Sequence, residues 1–320
     1  MNVKVSILIP VYKAEKYIEQ CIHTVLCQTY DNIEYVIAND ATPDNSMAIV
    51  QKTISQHPER AQSVVIIEND SNHGIAYTRN KLLEKATGDY LYFVDSDDFI
   101  MSDTIEKLVN VAKQQKADIV RCDYFQLSHG EVSIIKQCPF RNKEELLMQY
   151  IGAWDSTQAM WQLLVHKDVF AKHALSFQAD INACEDYLMT IKLLYFANSI
   201  VDIKEPLYYY RIDNVQSITR TNKIIFQNEM VASMEVTIDF LKEKDIYTIY
   251  KCSALNRMFL CKQNYLINKK MRNIDKYLQI CPESNTFYHS FNYNKQQQVL
   301  FWLAEHRYVT ILKLITKLLL

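Results

Sequence analysis

The sequence predicts an α/β domain built on a mainly parallel sheet, followed by an all-helical C-terminal region. Three observations carry this. Short β-branched, apolar runs alternate with helical spacings through the first hundred residues. The chain of 320 residues is 49% hydrophobic, enough to bury a substantial core. Beyond about Asn222 the strand signals disappear.

Taken in order, Lys4–Pro10 reads as a strand, and Tyr17, Ile18, Cys21, Ile22, Val25 and Leu26 recur at helical spacing within 14–28. The alternation repeats as strand 33–39 and helix 44–57, strand 64–68 and helix 75–87, then strand 90–94. Such a rhythm predicts parallel strands covered on both faces. Thr42 is placed to cap the second helix, with Pro43 at its first position, and Gly88 to end the third in a left-handed conformation. After Asp98 a helix over 102–115, β-rich segments at 118–127 and 131–135, and a helix over 185–197 follow. The remainder reads as helices near 222–244, 246–268, 271–280 and 295–319, which sets a domain boundary near Thr221. The expected domains are therefore 1–221, carrying the site, and 222–320, a helical region for acceptor, oligomer or membrane-surface contacts.

Composition narrows the function classes. A formal net charge of −2 gives no global field for nucleic acid. The eight cysteines include no CxxC pair, so neither a zinc site nor a disulfide framework is read, and reduced thiols in a cytoplasm are the simpler expectation. No signal peptide and no apolar run of spanning length is found, which suggests a chain neither secreted nor membrane-spanning. Only four glycines occur, with no GxGxxG and no Walker loop, against dinucleotide and P-loop readings.

Ligands of open parallel sheets bind at the carboxyl ends of the strands. Here those ends are Pro10-Val11-Tyr12, Asn39-Asp40, Glu68-Asn69-Asp70 and Asp95-Ser96-Asp97-Asp98. Any one acidic pair is more simply a turn or cap, but four polar strand ends in register suggest a site. Three carboxylates at the end of a buried strand cost energy unless a cation offsets them. Mg²⁺ or Mn²⁺ with a diphosphate substrate satisfies that requirement.

The chain resembles family 2 glycosyltransferases through Ser6-Ile-Leu-Ile-Pro-Val-Tyr12, Tyr17-Ile18, Cys21-Ile22, Gln28-Thr29-Tyr30 and Asn39-Asp40. The likeness continues through Asn72-His-Gly74, Thr78-Arg79-Asn80, Ala86-Thr-Gly-Asp-Tyr90, Asp95-Ser-Asp97-Asp98, Glu185-Asp186 and Tyr210-Arg211, over about residues 3–220. It implies a GT-A fold, a Rossmann-like mainly parallel sheet flanked by helices. It also implies inverting transfer of a hexose or N-acetylhexosamine from a nucleotide sugar, a UDP-sugar by preference, to a glycan or lipid-linked glycan acceptor. Bacterial surface polysaccharide assembly is the implied setting.

By position, the resemblance gives Asp40 to the nucleotide base, and Pro10, Val11 and Tyr12 to base and ribose, with packing as the alternative for Tyr12. Asn72 and Ser96 join the donor site. Asp97 and Asp95 hold Mn²⁺ or Mg²⁺, Asp95 otherwise lying near the ribose, while Asp98 receives no separate role. Arg79 either faces the donor oxygens or pairs internally with Asp95. Arg211 and Ser217 belong to a segment closing over the diphosphate. Asp186 is the implied base and Glu185 assists the acceptor, the plainer reading being acidic residues at a helix N-terminus.

Three positions depart from the family pattern: Lys13 for an asparagine, Ala41-Thr42 for Gly-Ser, and Leu163 for a lysine. Trp154 and Trp161 stack on a sugar or, more commonly for aromatics, fill the core. His73 and His166 lack a second ligand at suitable spacing. The apolar 308–320 stretch can dock on the preceding helices, form a dimer contact, or lie on a membrane's inner face. A non-catalytic nucleotide-sugar or glycan-binding module and a nucleotidyltransferase are the rival functions.

Overall fold

The computed structural model describes residues 3–152, 158–214 and 223–318; Trp154 and Ser217 lie outside them. Its first elements are β1 (Val5–Val11), α1 (Ile18–Leu26), β2 (Ile33–Asn39), α2 (Ser46–Ser55), α3 (Pro58–Ala61), β3 (Val64–Glu68), α4 (Ile75–Lys85) and β4 (Tyr90–Phe93). These strands pair in parallel, with β1 between β2 and β4 and β3 outside β2. Helix α1 buries Ile18, Cys21, Ile22, Val25 and Leu26, the positions its spacing selects. Each such aliphatic side chain contributes roughly 1.5–3 kcal/mol.

The sheet then continues through strands of mixed direction. The chain runs through β5 (Phe99–Ile100), α5 (Thr104–Gln115), β6 (Ile119–Ser128), β7 (Glu131–Ile135), α6 (Lys143–Gly152), β8 (Leu163–His166), α7 (Lys167–Lys172), α8 (Glu185–Phe196) and β9 (Ile200–Arg211). The strand order is β3-β2-β1-β4-β8-β6-β9-β5, with β7 on β6. Strand β8 runs antiparallel to both β4 and β6, whereas β6 and β9 are parallel.

Three local expectations are corrected. Strand β3 is not covered on both faces: as an edge strand it leaves Val65 and Ile66 exposed. Thr42 does not cap α2, which begins at Ser46; its hydroxyl instead donates to Asp44 and accepts the Lys13 N–H at 2.7 Å. Gly88 is not left-handed but is required by close approach, since a Cβ there would sit 2.6 Å from the Ser6 backbone nitrogen.

Two compact units divide the chain: Met1–Lys143 with Gln158–Thr221, and Glu144–Thr157 with Asn222–Leu320. Most of α6 thus groups with the C-terminal helices. Those helices are α9 (Lys223–Glu243), α10 (Tyr247–Lys262), α11 (Asn264–Ile267), α12 (Ile274–Gln279), α13 (Lys295–Glu305) and α14 (Val309–Leu318). The span expected as one helix over 295–319 breaks where Arg307 turns left-handed, at φ 58°. Helix α14 docks through buried Leu312 and through the Thr316 carbonyl, which accepts from Arg272 at 2.9 Å, while Ile311 and Leu314 stay exposed. Among the described residues no helix is long and apolar enough to cross a membrane.

Candidate active site

The parallel register brings the ends of β1 and β2 to one edge, with Val11 opposite Asn39. Pro10 and Val11 are buried strand residues. Tyr12 is 41% exposed, which removes core packing as its role, and the Lys13 ammonium lies 5.0 Å from its ring centre. Lys13 and Ala41 both sit at φ 50°. That geometry explains the family's asparagine and glycine at these positions, because those residues tolerate the left-handed region best.

Asp40 is buried, and both its oxygens are engaged within the chain. It accepts from Asn69 Nδ2 and the His73 N–H at one oxygen and from the Gly74 N–H at the other, each at 2.9 Å. The carboxylate therefore orders the 69–74 loop. Asn72 on that loop is exposed, and His73 is tied to Asp70 at 2.7 Å.

Asp95, Ser96 and Asp97 lie in the turn after β4, half-buried, and Asp98 is buried. The Asp95 N–H donates to the Tyr208 hydroxyl at 3.1 Å, and that hydroxyl donates to Asp98 at 2.8 Å. The other Asp98 oxygen accepts the Arg211 N–H at 2.8 Å. Asp98 thus fastens β9 beneath the turn. Burial, with Asp97 and Asp95 nearby, pushes its carboxyl well above the ordinary range. Asp97 accepts from Asn214 Nδ2 at 2.8 Å, and burial and Asp95 raise it as well.

Arg79 projects from α4 into this cluster. It is 3% exposed and bridges Asp95 at 3.0 Å and Glu185 at 2.5 Å, so its side chain is an internal clamp joining the β4 turn to α8. Glu185 and Asp186 open α8. Burial pushes both carboxyls above their ordinary range, with Arg79 opposing the shift in each. Among the described residues Asp186 forms no ion pair.

The Arg211 guanidinium donates to the Asp97 carbonyl at 2.9 Å and to Gln20 at 2.8 Å, and lies over the Tyr17 ring. Trp161 is a core residue and not a free sugar platform: it is 2% exposed and stacks on Tyr208 with ring centres 4.2 Å apart. Leu163 is fully buried in β8. His166 caps α7 by accepting the Asp168 N–H. Sequence reasoning gave no site role to Tyr208, Asn214, Gln20 or Cys21, whose thiol faces the Asp95 carbonyl at 3.6 Å. Their partners carry no local signal, because each contact spans more than seventy residues of chain.

The donor set fits a divalent cation. Asp95 and Asp97 present hard oxygens; of the three clustered carboxylates only Asp95 forms an ion pair among the described residues, and Asp97 accepts from a neutral amide. When bound, such a cation would neutralise charge on a diphosphate leaving group.

A nine-stranded, half-parallel sheet with buried carboxylates at its strand ends is the architecture of a GT-A glycosyltransferase. Residues 6–172 match Glycosyl transferase family 2, and the chain belongs to that family. It is 30% identical over 253 residues to a Bacillus subtilis (strain 168) protein provisionally named glycosyltransferase EpsH, covering 77% of this chain and 72% of that one. It is 24% identical over 316 residues to the poly(ribitol-phosphate) beta-glucosyltransferase of Bacillus spizizenii, covering 93% of this chain and 46% of that one. The fold is similar to S. aureus TarS 1-349 in complex with UDP-GlcNAc, with TM-score 0.71, 19% identity, and 95% of this chain and 87% of that one covered.

Proposed function

We propose that this glycosyltransferase moves a hexose or N-acetylhexosamine from a UDP-sugar to a glycan or lipid-linked glycan acceptor, with inversion at the anomeric carbon. The observation that carries the proposal is the Arg79 clamp, which holds the aspartate turn and the acidic start of α8 in one buried cluster. The relative named for glucosyl transfer to poly(ribitol phosphate) and the UDP-GlcNAc complex of a structural neighbour support the acceptor and donor classes.

Asp186 acts as the base. Its carboxylate takes the proton of the acceptor hydroxyl as that oxygen attacks the anomeric carbon, and the bond to the nucleoside diphosphate breaks on the opposite face. Burial raises its proton affinity towards that of a useful base. Glu185, held by Arg79, positions the acceptor and is not itself the base. Asp97 and Asp95 would hold Mn²⁺ or Mg²⁺. Asp40 shapes the base pocket by ordering the loop that carries Asn72, and Pro10, Val11 and Tyr12 form its floor and rim. Ser96 and Arg211 keep the aspartate turn against the donor diphosphate. Work at the cytoplasmic face completes the reading.

The test is release of nucleoside diphosphate from a panel of nucleotide sugars with glycan acceptors and Mn²⁺, alongside the anomeric configuration of the product. Turnover of UDP-sugars with an inverted product supports the proposal. Retention of configuration, or a pyrophosphate product, would overturn it.

A further inference from the structure

Outside the carboxylate site, the ligating atoms of His23, Cys27 and His57 lie within 4.8 Å of one another. His23 and Cys27 stand four residues apart, on one face of α1 and its C-terminal end. His57 comes from the turn between α2 and α3. His23 Nδ1 is 3.2 Å from His57 Nε2, and Cys27 Sγ is 3.9 Å from the same His23 nitrogen.

The second nitrogen of His57 is also accounted for. Its Nδ1 lies 3.3 Å from a Glu59 carboxylate oxygen. That contact favours the proton on Nδ1 and leaves Nε2, which faces His23 at 3.2 Å, as the ligating nitrogen, the arrangement that supports metal-bound imidazoles. Arg60 braces the same turn independently, donating to the carbonyls of Gln28, Tyr30 and Asp31 just beyond α1.

We propose that His23, Cys27 and His57 form a three-ligand Zn²⁺ site that pins α1 to the α2–α3 turn and is separate from the aspartate cation site. Two imidazoles and a thiolate are a nitrogen–sulfur set suited to Zn²⁺, whereas Asp95 and Asp97 offer the hard oxygens that suit Mg²⁺ or Mn²⁺. Tetrahedral Zn²⁺ separates nitrogen and sulfur ligands by about 3.3–3.6 Å. The contacts at 3.2 and 3.9 Å bracket that spacing. His23 and Cys27 are exposed, so the metal has an entry path and a fourth position for water. The site escapes a search for paired cysteines because its third ligand comes from a different helix–turn unit.

The experiment is a chelator-competed Zn²⁺ titration of the full chain, with Co²⁺ as a spectroscopic substitute. One Zn²⁺ per chain is expected, with thiolate-to-metal absorption in the Co²⁺ form. His57→Ala and Cys27→Ser should each weaken binding at least ~10-fold, Cys27→Ser should abolish the absorption, and Glu59→Gln should weaken binding about 10-fold while leaving all three ligands. Asp97→Ala should leave this binding unchanged. Thermal melts of the metal-free variants matching metal-free wild type establish that the fold is intact. Absence of stoichiometric Zn²⁺ binding, binding indifferent to both ligand substitutions, or binding lost in Asp97→Ala overturns the proposal.

Discussion

At the amino end of the parallel sheet Glu34 collects donors from Lys4, Ser6 and Thr87, whereas at the carboxyl end Asp95, Asp97 and Asp98 crowd into four residues, of which only Asp95 forms an ion pair among the described residues. Burial alone would raise the Glu34 carboxyl, but its hydrogen bonds outweigh burial and bring it to about 2. At the other end burial and like charges prevail, and Asp97, Asp98 and Asp186 are all raised. The same functional group is thus a structural fastening where donors reach both its oxygens, as at Glu34 and at Asp98 despite its raised carboxyl, and a reactive or ligand-seeking group where they do not, as at Asp97 and Asp186.

Substitutions at the two ends should therefore separate activity from stability. Asp186→Asn should lower turnover by on the order of 10²–10⁴-fold while keeping donor affinity, measured by single-turnover kinetics and donor titration. Asp97→Ala should cost on the order of 10²–10³-fold in metal-supported transfer and weaken donor binding as well. The pH profile sharpens the contrast, because Asp186 must be deprotonated to act. Transfer should fall as pH drops through its raised value, with the acid limb above the ordinary aspartate range.

Glu34→Gln should leave turnover intact and destabilise the fold by about 1–3 kcal/mol, read from denaturant melts. The sign of its pH dependence is opposite to a raised group's. Its stabilisation is present above the ordinary value of 4.5 and is lost as pH falls towards about 2, so the gap between wild type and variant should close over that window. The smallest effect is expected at Ala41, where φ is 50°. Ala41→Gly should relieve left-handed strain and stabilise by about 0.5–1 kcal/mol, after the greater entropy of an unfolded glycine is offset.

The first four strands were legible because each is a continuous apolar run followed by a helical period, and 33–39 and 64–68 match β2 and β3 residue for residue. Strands β5, β8 and β9 were not. Two-residue β5 and four-residue β8 owe their conformation to neighbours far away in sequence, and β8 exists between β4 and β6 because both offer it an antiparallel ladder. The Asp95 and Asp97 candidates were visible as a pattern, yet Arg79 presented two readings until the fold showed both of its partners.

The sequence by itself determined the alternation of strands and helices, the acidic and amide strand ends and the acidic start of α8, since periodicity and the residue after a strand are local properties. Only the tertiary structure decided which carboxylates find donors and which do not. Asp40 is spent on ordering a loop, Asp98 on fastening Tyr208 and Arg211, and Asp186 forms no ion pair among the described residues. Hydrogen bonding and charge compensation act through space, over a few ångströms, between groups far apart in the chain.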